Sequence, residues 1–340
     1  MHETIATQTL KTGESMQIER VLAPDAERAA RILPFLGHKP GEYRAHLEAA
    51  FADACDELET RFYVGLLDGQ IVGNIMTVEA GGVGILGHVH TREDHRRKGV
   101  CRAIMGRQME DFRDRGGHAL LLGTGYQSPA YWIYHSFGFR DLPGARPGVM
   151  RFLREDEPEF LERFFASGPC RVAPAGWKHW PLAALLAALP DLPCLRSLTL
   201  GAWGVALLEG PYCSFFHRWG ADPRAGAAVL ESQTGAVVGV ATLVPEGRWP
   251  DALLLDVFFH PQVDPGDVAG LIGALPPLPG KVQCFAGPQD ARKIMALEQA
   301  GFRREAILPE QFRQGDIWCD AWLYSRREDG GVAGAARHGR

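Results

Sequence analysis

Eleven consecutive residues carry the densest chemistry in the chain: Thr91-Arg92-Glu93-Asp94-His95-Arg96-Arg97-Lys98-Gly99-Val100-Cys101. An apolar, strand-like run ends at Thr91, a basic loop turns on Gly99, and a helical pattern begins. Such a turn aims several backbone N–H groups at one point, and the helix N-terminus adds partial positive charge. Between residues 92 and 115 there are eight Lys/Arg against five Asp/Glu, in a chain whose formal net charge is −5. A pyrophosphate is the ligand that such a site fits. A solvated basic turn ahead of a surface helix is the plainer reading. Cys101 stands at the helix start, where a thiol pKa can fall, but it reads better as a small residue packed beneath the phosphates.

Two other patterns carry less. Gly82-x-Gly84-x-x-Gly87 spells a dinucleotide fingerprint, but strand and basic loop follow it instead of helix, so the glycines are assigned to a turn and a bulge. His88, His90 and His95 lack the carboxylate or thiolate that would complete a metal site, and no metal is expected.

These residues need a scaffold, and the chain reads as mixed α/β. A strand at Gln17–Leu22 precedes helical segments to about Ala54. Strands follow at Arg61–Leu67, Gln70–Glu79 and Val83–Thr91, the first two joined by an Asp-Gly turn. A helix over Gly99–Arg115 places Cys101, Met105, Met109 and Phe112 on one face, and Gly116-Gly117 ends it. A strand at Ala119–Gly123, a helix at Pro129–Ser136 and strands near Phe139 and Val149–Leu153 complete a unit. The pattern then recurs. The turn ending at Gly73 resembles the one ending at Gly239, 166 residues on, and Phe137-Gly138-Phe139-Arg140 resembles Ala300-Gly301-Phe302-Arg303, 163 residues on. The second unit reads as strand Arg171–Pro174, helix Trp177–Leu189, strands Ala228–Gln233, Val237–Val244 and Leu253–Phe259, helix Asp267–Leu275, strand Lys281–Ala286, helix Gln289–Ala300, and strands Phe302–Ile307 and Ile317–Ser325. Residues 1–155 and 168–327 are thus expected as two related domains, each long enough to bury its own core, and 328–340 as a flexible Gly/Ala-rich tail.

On these elements the chain resembles the GNAT superfamily of N-acetyltransferases, whose phosphate loop reads Arg/Gln-x-x-Gly-x-Gly/Ala between strand and helix. Arg96-Arg97-Lys98-Gly99-Val100-Cys101 follows that pattern, with Cys101 at its last position. Ala130, Tyr134, Gly138 and Phe139 follow a second family pattern, with Gln127 where the family often has Asn. The resemblance spans nearly the whole chain as a tandem acyl-CoA N-acyltransferase fold. It implies acetyl-CoA as co-substrate, held by Val89, His90, Thr91, Arg96, Arg97, Lys98, Gly99, Val100, Cys101, Arg102, Ala130 and Tyr134. It also implies direct attack of an amine on the thioester through a tetrahedral intermediate, with a base removing the amine proton and an acid protonating the thiolate.

By the same resemblance Tyr134 is the expected acid; packing against Phe137 and Phe139 is its plainer role. Some relatives carry a glutamate six residues before the position of Thr91, where this chain has Ile85. His88 and His90, alternating onto one strand face, and Glu79 from the neighbouring strand are the candidate bases, with a water chain as a further route. In the second copy Gln262-Val263-Asp264-Pro265-Gly266-Asp267 replaces the basic loop, and its aspartates would compete with a phosphate for the helix amides. That copy is expected not to hold acetyl-CoA. Trp203, Trp219 and Trp318 could line a different pocket there, although burial is the commoner fate of tryptophan.

The expected activity is acetyl transfer to the amine of a small molecule; the alternative is an acyl-CoA-binding sensor without a competent base. The acidic balance argues against nucleic-acid or acidic-membrane partners. The longest apolar stretches, Pro181–Pro190 and Leu198–Leu208, fall short of the roughly 20 residues of a membrane helix and read as buried helix or strand. Seven scattered cysteines without a pairing pattern, and an N-terminus without an apolar leader core, suggest a reduced cytoplasmic setting. A monomer or homodimer is expected.

Overall fold

Asp68 and Gly69 both take positive φ, 47° and 73°, the backbone of a two-residue hairpin turn. They join β3 (Glu59–Leu67) to β4 (Gln70–Ala80), and Gly81-Gly82 joins β4 to β5 (Val83–Thr91) in the same way. The computed structural model describes residues 1–276 and 280–328. Its first sheet adds β1 (His2–Thr9), β2 (Ser15–Leu22), β6 (Ala119–Gly123), β7 (Arg140–Asp141) and β8 (Val149–Leu153) in the order β1-β2-β3-β4-β5-β6-β8-β7. Only β5 and β6 pair in parallel. The crossover between them is α3 (Val100–Asp114), and α4 (Pro129–Ser136) follows β6.

The second sheet runs β9 (Cys170–Pro174), β10 (Gly226–Ser232), β11 (Val237–Pro245), β12 (Ala252–Phe259), β13 (Gly280–Ala286), β15 (Ile317–Glu328) and β14 (Arg303–Gln314). This repeats the order and sense of β2-β3-β4-β5-β6-β8-β7, with β12–β13 as the parallel pair. Helices α8 (Pro265–Gly273) and α9 (Ala291–Gln299) stand where α3 and α4 stand. The molecule is therefore a pair of similar mixed α/β modules, the tandem arrangement expected from the sequence.

The modules differ from the expected pair in their core. Helix α6 (Trp180–Ala187) buries all eight of its residues. It packs on β4, β5 and β6 of the first sheet and on β11 of the second. One continuous core thus runs from Phe62, Met76 and Ile85 through α6 to Val240 and Leu243. Trp180, fully buried, donates its indole N–H to the Leu208 carbonyl at 2.9 Å. A second core lies on the opposite face of the first sheet, under α3.

Four elements depart from the sequence reading. Strand β1 pairs with β2 at the sheet edge, and its polar sequence gives no apolar alternation. The stretch between the two expected domains holds α5 (Glu157–Phe164), whose Phe160 and Phe164 cap the shared core. Helix α7 (Glu209–Trp219) was not expected. Leu198–Leu208 forms a short 3-10 turn at Leu198–Leu200 and then irregular chain, neither the helix nor the strand anticipated. Apart from Glu328 at the end of β15, the expected tail at 328–340 lies outside the described residues. No described helix is long and apolar enough to cross a membrane, and all seven cysteines are unpaired.

Candidate active site

Gly99 caps α3 with φ 96°, a left-handed conformation suited to glycine; no side chain accepts a hydrogen bond from the first turn. Its orphan N–H groups converge on the mouth of the loop, and Arg97 beside them also has positive φ, 65°. The tip of the β1–β2 hairpin braces this loop. Lys11 donates its N–H to the Lys98 carbonyl at 3.1 Å, and Lys98 Nζ lies 3.5 Å from Glu14. A groove of about 310 Å³ opens there, lined by Lys11, Lys98, Gly99, Arg102 and Arg107 among others. Arg92 pairs with Asp94, and Arg96 with Glu93 at 3.4 Å. Burial pushes the Cys101 thiol up to about 11, so this cysteine is not a thiolate nucleophile despite its place at a helix start.

Next to the loop the sheet opens. Strands β5 and β6 pair only across Val83–Ile85 and Ala119–Leu121, although β5 runs on to Thr91 and β6 to Gly123. A bulge on β5, where His88 and Val89 stand opposite the single Ile75 of β4, bends the strand at the same level. Its apex is His88 at φ 50°, whose carbonyl accepts a hydrogen bond from buried Asn74 Nδ2 at 3.0 Å. β12, the counterpart of β5, pairs with β11 without a bulge. Asn74 was not singled out from sequence, because its role depends on a partner across the sheet.

Both histidines face the helices on one side of the sheet. His88 packs edge-on against Tyr43 (5.1 Å between centroids) and His90 against His38 (4.4 Å). Burial lowers the His88 pKa to about 3, leaving a neutral ring whose Nε2 is buried without a hydrogen bond. His90 is lowered too, chiefly by burial. Val89 turns to the α3 side and packs on that core. Tyr134 lies on the α3 side as well, buried edge-on to Phe139 (6.1 Å). Burial raises its pKa, with Cys101 and Glu209 pushing the same way, so the phenol keeps its proton. Ala130 packs one turn earlier on the same helix.

Glu79 is not brought to this place. It sits opposite Gly84, at the other end of β4 from the Asn74–His90 pair. Both of its oxygens are engaged, by Arg115 (2.6 and 3.0 Å), Arg61 (3.4 Å) and Thr77 (2.5 Å). A buried carboxylate so bound has no lone pair free for an amine. Of the sequence-derived candidates, the structure gathers the loop, His88, His90, Ala130 and Tyr134 around the splay and leaves Glu79 outside it.

A carboxylate absent from that set arrives from the second unit. Residues 203–209 run along the open edge of the cleft, with Val205 against Gly144, Leu207 against Gly123, and Glu209 against Gly87. Glu209 Oε1 lies 2.5 Å from the point a Cβ on Gly87 would occupy. A side chain at this point of β5 would displace the carboxylate. The carboxylate is the first residue of α7, where the helix N-terminus favours negative charge. Burial nonetheless raises its pKa from 4.5 to about 7, against the opposing pull of Lys39 and Arg146. Lying above the unfolded value, this pKa makes the contribution of Glu209 to stability fully present below pH 4.5 and lost as pH rises through 7. Glu209→Gln removes that loss. The variant is expected to be more stable than the parent by about 2–3 kcal/mol at pH 8 and indistinguishable from it at pH 4; urea unfolding at both pH values measures this, and equal stabilities at pH 8 would exclude a raised pKa.

Residues 29–139 match the family model described as Acetyltransferase (GNAT) family, a stretch that contains both the loop and α4. Among solved structures, the chain is similar to yncA from Salmonella typhimurium, solved with its cofactor acetyl-CoA (14% identity, covering 50% of this chain and 99% of that one, TM-score 0.40). It is also similar to a GNAT superfamily phosphinothricin acetyltransferase from Sinorhizobium meliloti in complex with acetyl-CoA (13% identity, 50% and 94% covered, TM-score 0.41). A third is the ribosomal-protein-alanine N-acetyltransferase from Brucella melitensis (19% identity, 46% and 99% covered, TM-score 0.36). No curated protein matches the sequence.

Proposed function

We propose that the chain transfers an acetyl group from acetyl-CoA to the amine of a small molecule, using the first unit alone as the acetyl-CoA site. One observation carries this reading: an uncapped helix N-terminus on a left-handed glycine stands beside a splayed parallel strand pair with a bulge. The first feature suits a pyrophosphate through backbone N–H groups and helix charge. The second leaves unpaired strand edge for the pantetheine amides. The thioester supplies the activated acyl carbon. The protein's own groups position it, keep water out and handle protons. Tyr134 stays protonated and serves as the donor to the departing sulfur. The alternative of a sensor without a base rests on Ile85; the carboxylate of Glu209 beside Gly87 weighs against it.

The second unit does not offer the same cradle. Asp264 accepts the Gly266 N–H at 2.7 Å and so caps α8 with the chain's own carboxylate. Lys293, at the place of small Ala130, turns its ammonium to Asp256 at 3.0 Å. Trp203 and Trp318 are about half exposed and not in the buried packing anticipated.

Acetyl-CoA titration of the purified chain, followed by thiol release with a panel of amines, tests the function. Tight binding with no transfer to any amine would sink the enzyme reading. Tyr134→Phe, which keeps the ring and removes the donor, is expected to lower kcat roughly 10- to 100-fold with unchanged acetyl-CoA affinity. An unaltered kcat would assign Tyr134 to packing alone.

A further inference from the structure

Glu209 is flanked from several sides. Lys39 approaches from the connection between α1 (Ala26–Phe35) and α2 (Gly41–Phe51), and Arg146 from the connection between β7 and β8; both bear on the carboxylate. From α2 comes Tyr43, itself under the influence of Glu209, Glu42 and Arg146. Cys213, one turn on in α7, also feels Glu209 and Glu42. His88 stands beside Tyr43 on β5, and Tyr134 reaches from α4 through the splay. Among the described residues Glu209 makes no hydrogen bond, and neither Lys39 nor Arg146 has a carboxylate within ion-pair distance. Lys39 is half-buried, its pKa pulled down by burial despite Glu209.

Lys39, half-buried, and Arg146, exposed at the rim, both bear on Glu209 yet have no carboxylate within ion-pair distance, so each is open to an incoming anion. We propose that Glu209, contributed by the second unit, is the base that takes the proton from the acceptor amine, and that Lys39 and Arg146 select an acceptor carrying a carboxylate next to that amine. This rests on the acetyl-transfer reading above. In the step, a substrate ammonium gives one proton to Glu209 and on to solvent. The amine nitrogen bonds to the acyl carbon, the carbon–sulfur bond breaks, and the second amine proton is matched by the one Tyr134 passes to sulfur. The products are amide, free thiol and one released proton. Glu209 and Tyr134 stand on opposite faces of the sheet, so base and acid are held apart by the reacting bond. A polyamine would meet two like charges; an amino-acid-type acceptor brings the missing anion.

The test uses the full chain, acetyl-CoA, and a set of α-amino acids paired with their primary amides. The parent is expected to favour the acid over its amide by about 10- to 100-fold in kcat/KM. Lys39→Met and Arg146→Met should each shrink that preference through KM for the acid alone. Glu209→Gln should lower kcat about 100-fold with every acceptor, abolish the rise in rate as pH passes 7, and leave acetyl-CoA affinity intact. Transfer without preference for the carboxylate would overturn the acceptor class. A Glu209→Gln enzyme that keeps its kcat and its pH rise would overturn the base. A parent protein that fails to bind acetyl-CoA would overturn the acetyl-transfer reading itself, a result distinct from both.

Discussion

Lys293→Met is expected to destabilise the protein by about 3–5 kcal/mol. Lys293 and Asp256 are 3% and 1% exposed, so removal of the ammonium leaves a carboxylate that water cannot reach. Burial alone would pull the Lys293 pKa down, yet Asp256, with Cys284 and Asp290 beside it, holds the pKa above its ordinary value. The pair also does mechanical work at a distance. Lys293 Nζ donates to the Leu195 carbonyl at 2.8 Å, and Asp256 accepts the Leu198 N–H at 2.7 Å. Arg196, between them, donates to the Gly204 carbonyl at 2.7 Å. Together these bonds clamp the start of the segment that carries Glu209 to the first unit. Adding Asp256→Asn to Lys293→Met keeps the hydrogen-bond acceptor without the charge and should recover most of the loss. Urea unfolding of the parent, single and double variants measures the coupling. A single-variant cost below about 1 kcal/mol would match an exposed pair instead.

Gly99→Glu is expected to weaken acetyl-CoA binding roughly 150- to 900-fold. A side chain at φ 96° costs about 1–2 kcal/mol, and a carboxylate at the mouth of α3 competes for the N–H groups that a pyrophosphate would use. Losing that charge-assisted set accounts for the remaining roughly 2 kcal/mol. Gly99→Asn, uncharged and tolerant of left-handed backbone, should lose far less. Calorimetric titration distinguishes the two, with circular dichroism as the control for folding. Equal affinity for parent and Gly99→Glu would place the phosphates elsewhere.

Local signals explain what the sequence made legible. Strands β5 and β6, helix α4 and strand β8 fall on the expected residues, because Gly81-Gly82, Gly116-Gly117, Ser128-Pro129 and Gly148 punctuate them with turn or cap chemistry. The duplication was legible for the same reason: glycine turns recur at nearly one spacing, 166 and 163 residues on. What escaped was set by distant partners. β1 is polar and gains its order from β2 and α3. α7 begins Glu-Gly-Pro, a weak helix start, and is fixed by packing on α2. The site shows the same division. The loop's glycine and charges lie together in sequence, whereas Glu209 meets Gly87 across more than a hundred residues, and no local pattern announces it. Glu79 misled because strand proximity says nothing of the arginines waiting at its other side.

Helix α6 has a consequence for how such a chain can change over generations. Tandem copies usually remain interchangeable parts that can be deleted, transposed or joined to new partners. Here one copy's helix has become the other copy's floor, with no solvent-facing side left to either owner. Losing the second copy would strip an apolar wall from the first and carry off the carboxylate at its cleft. A chain cut back to either half would lose part of this shared core, so the two halves stand or fall together.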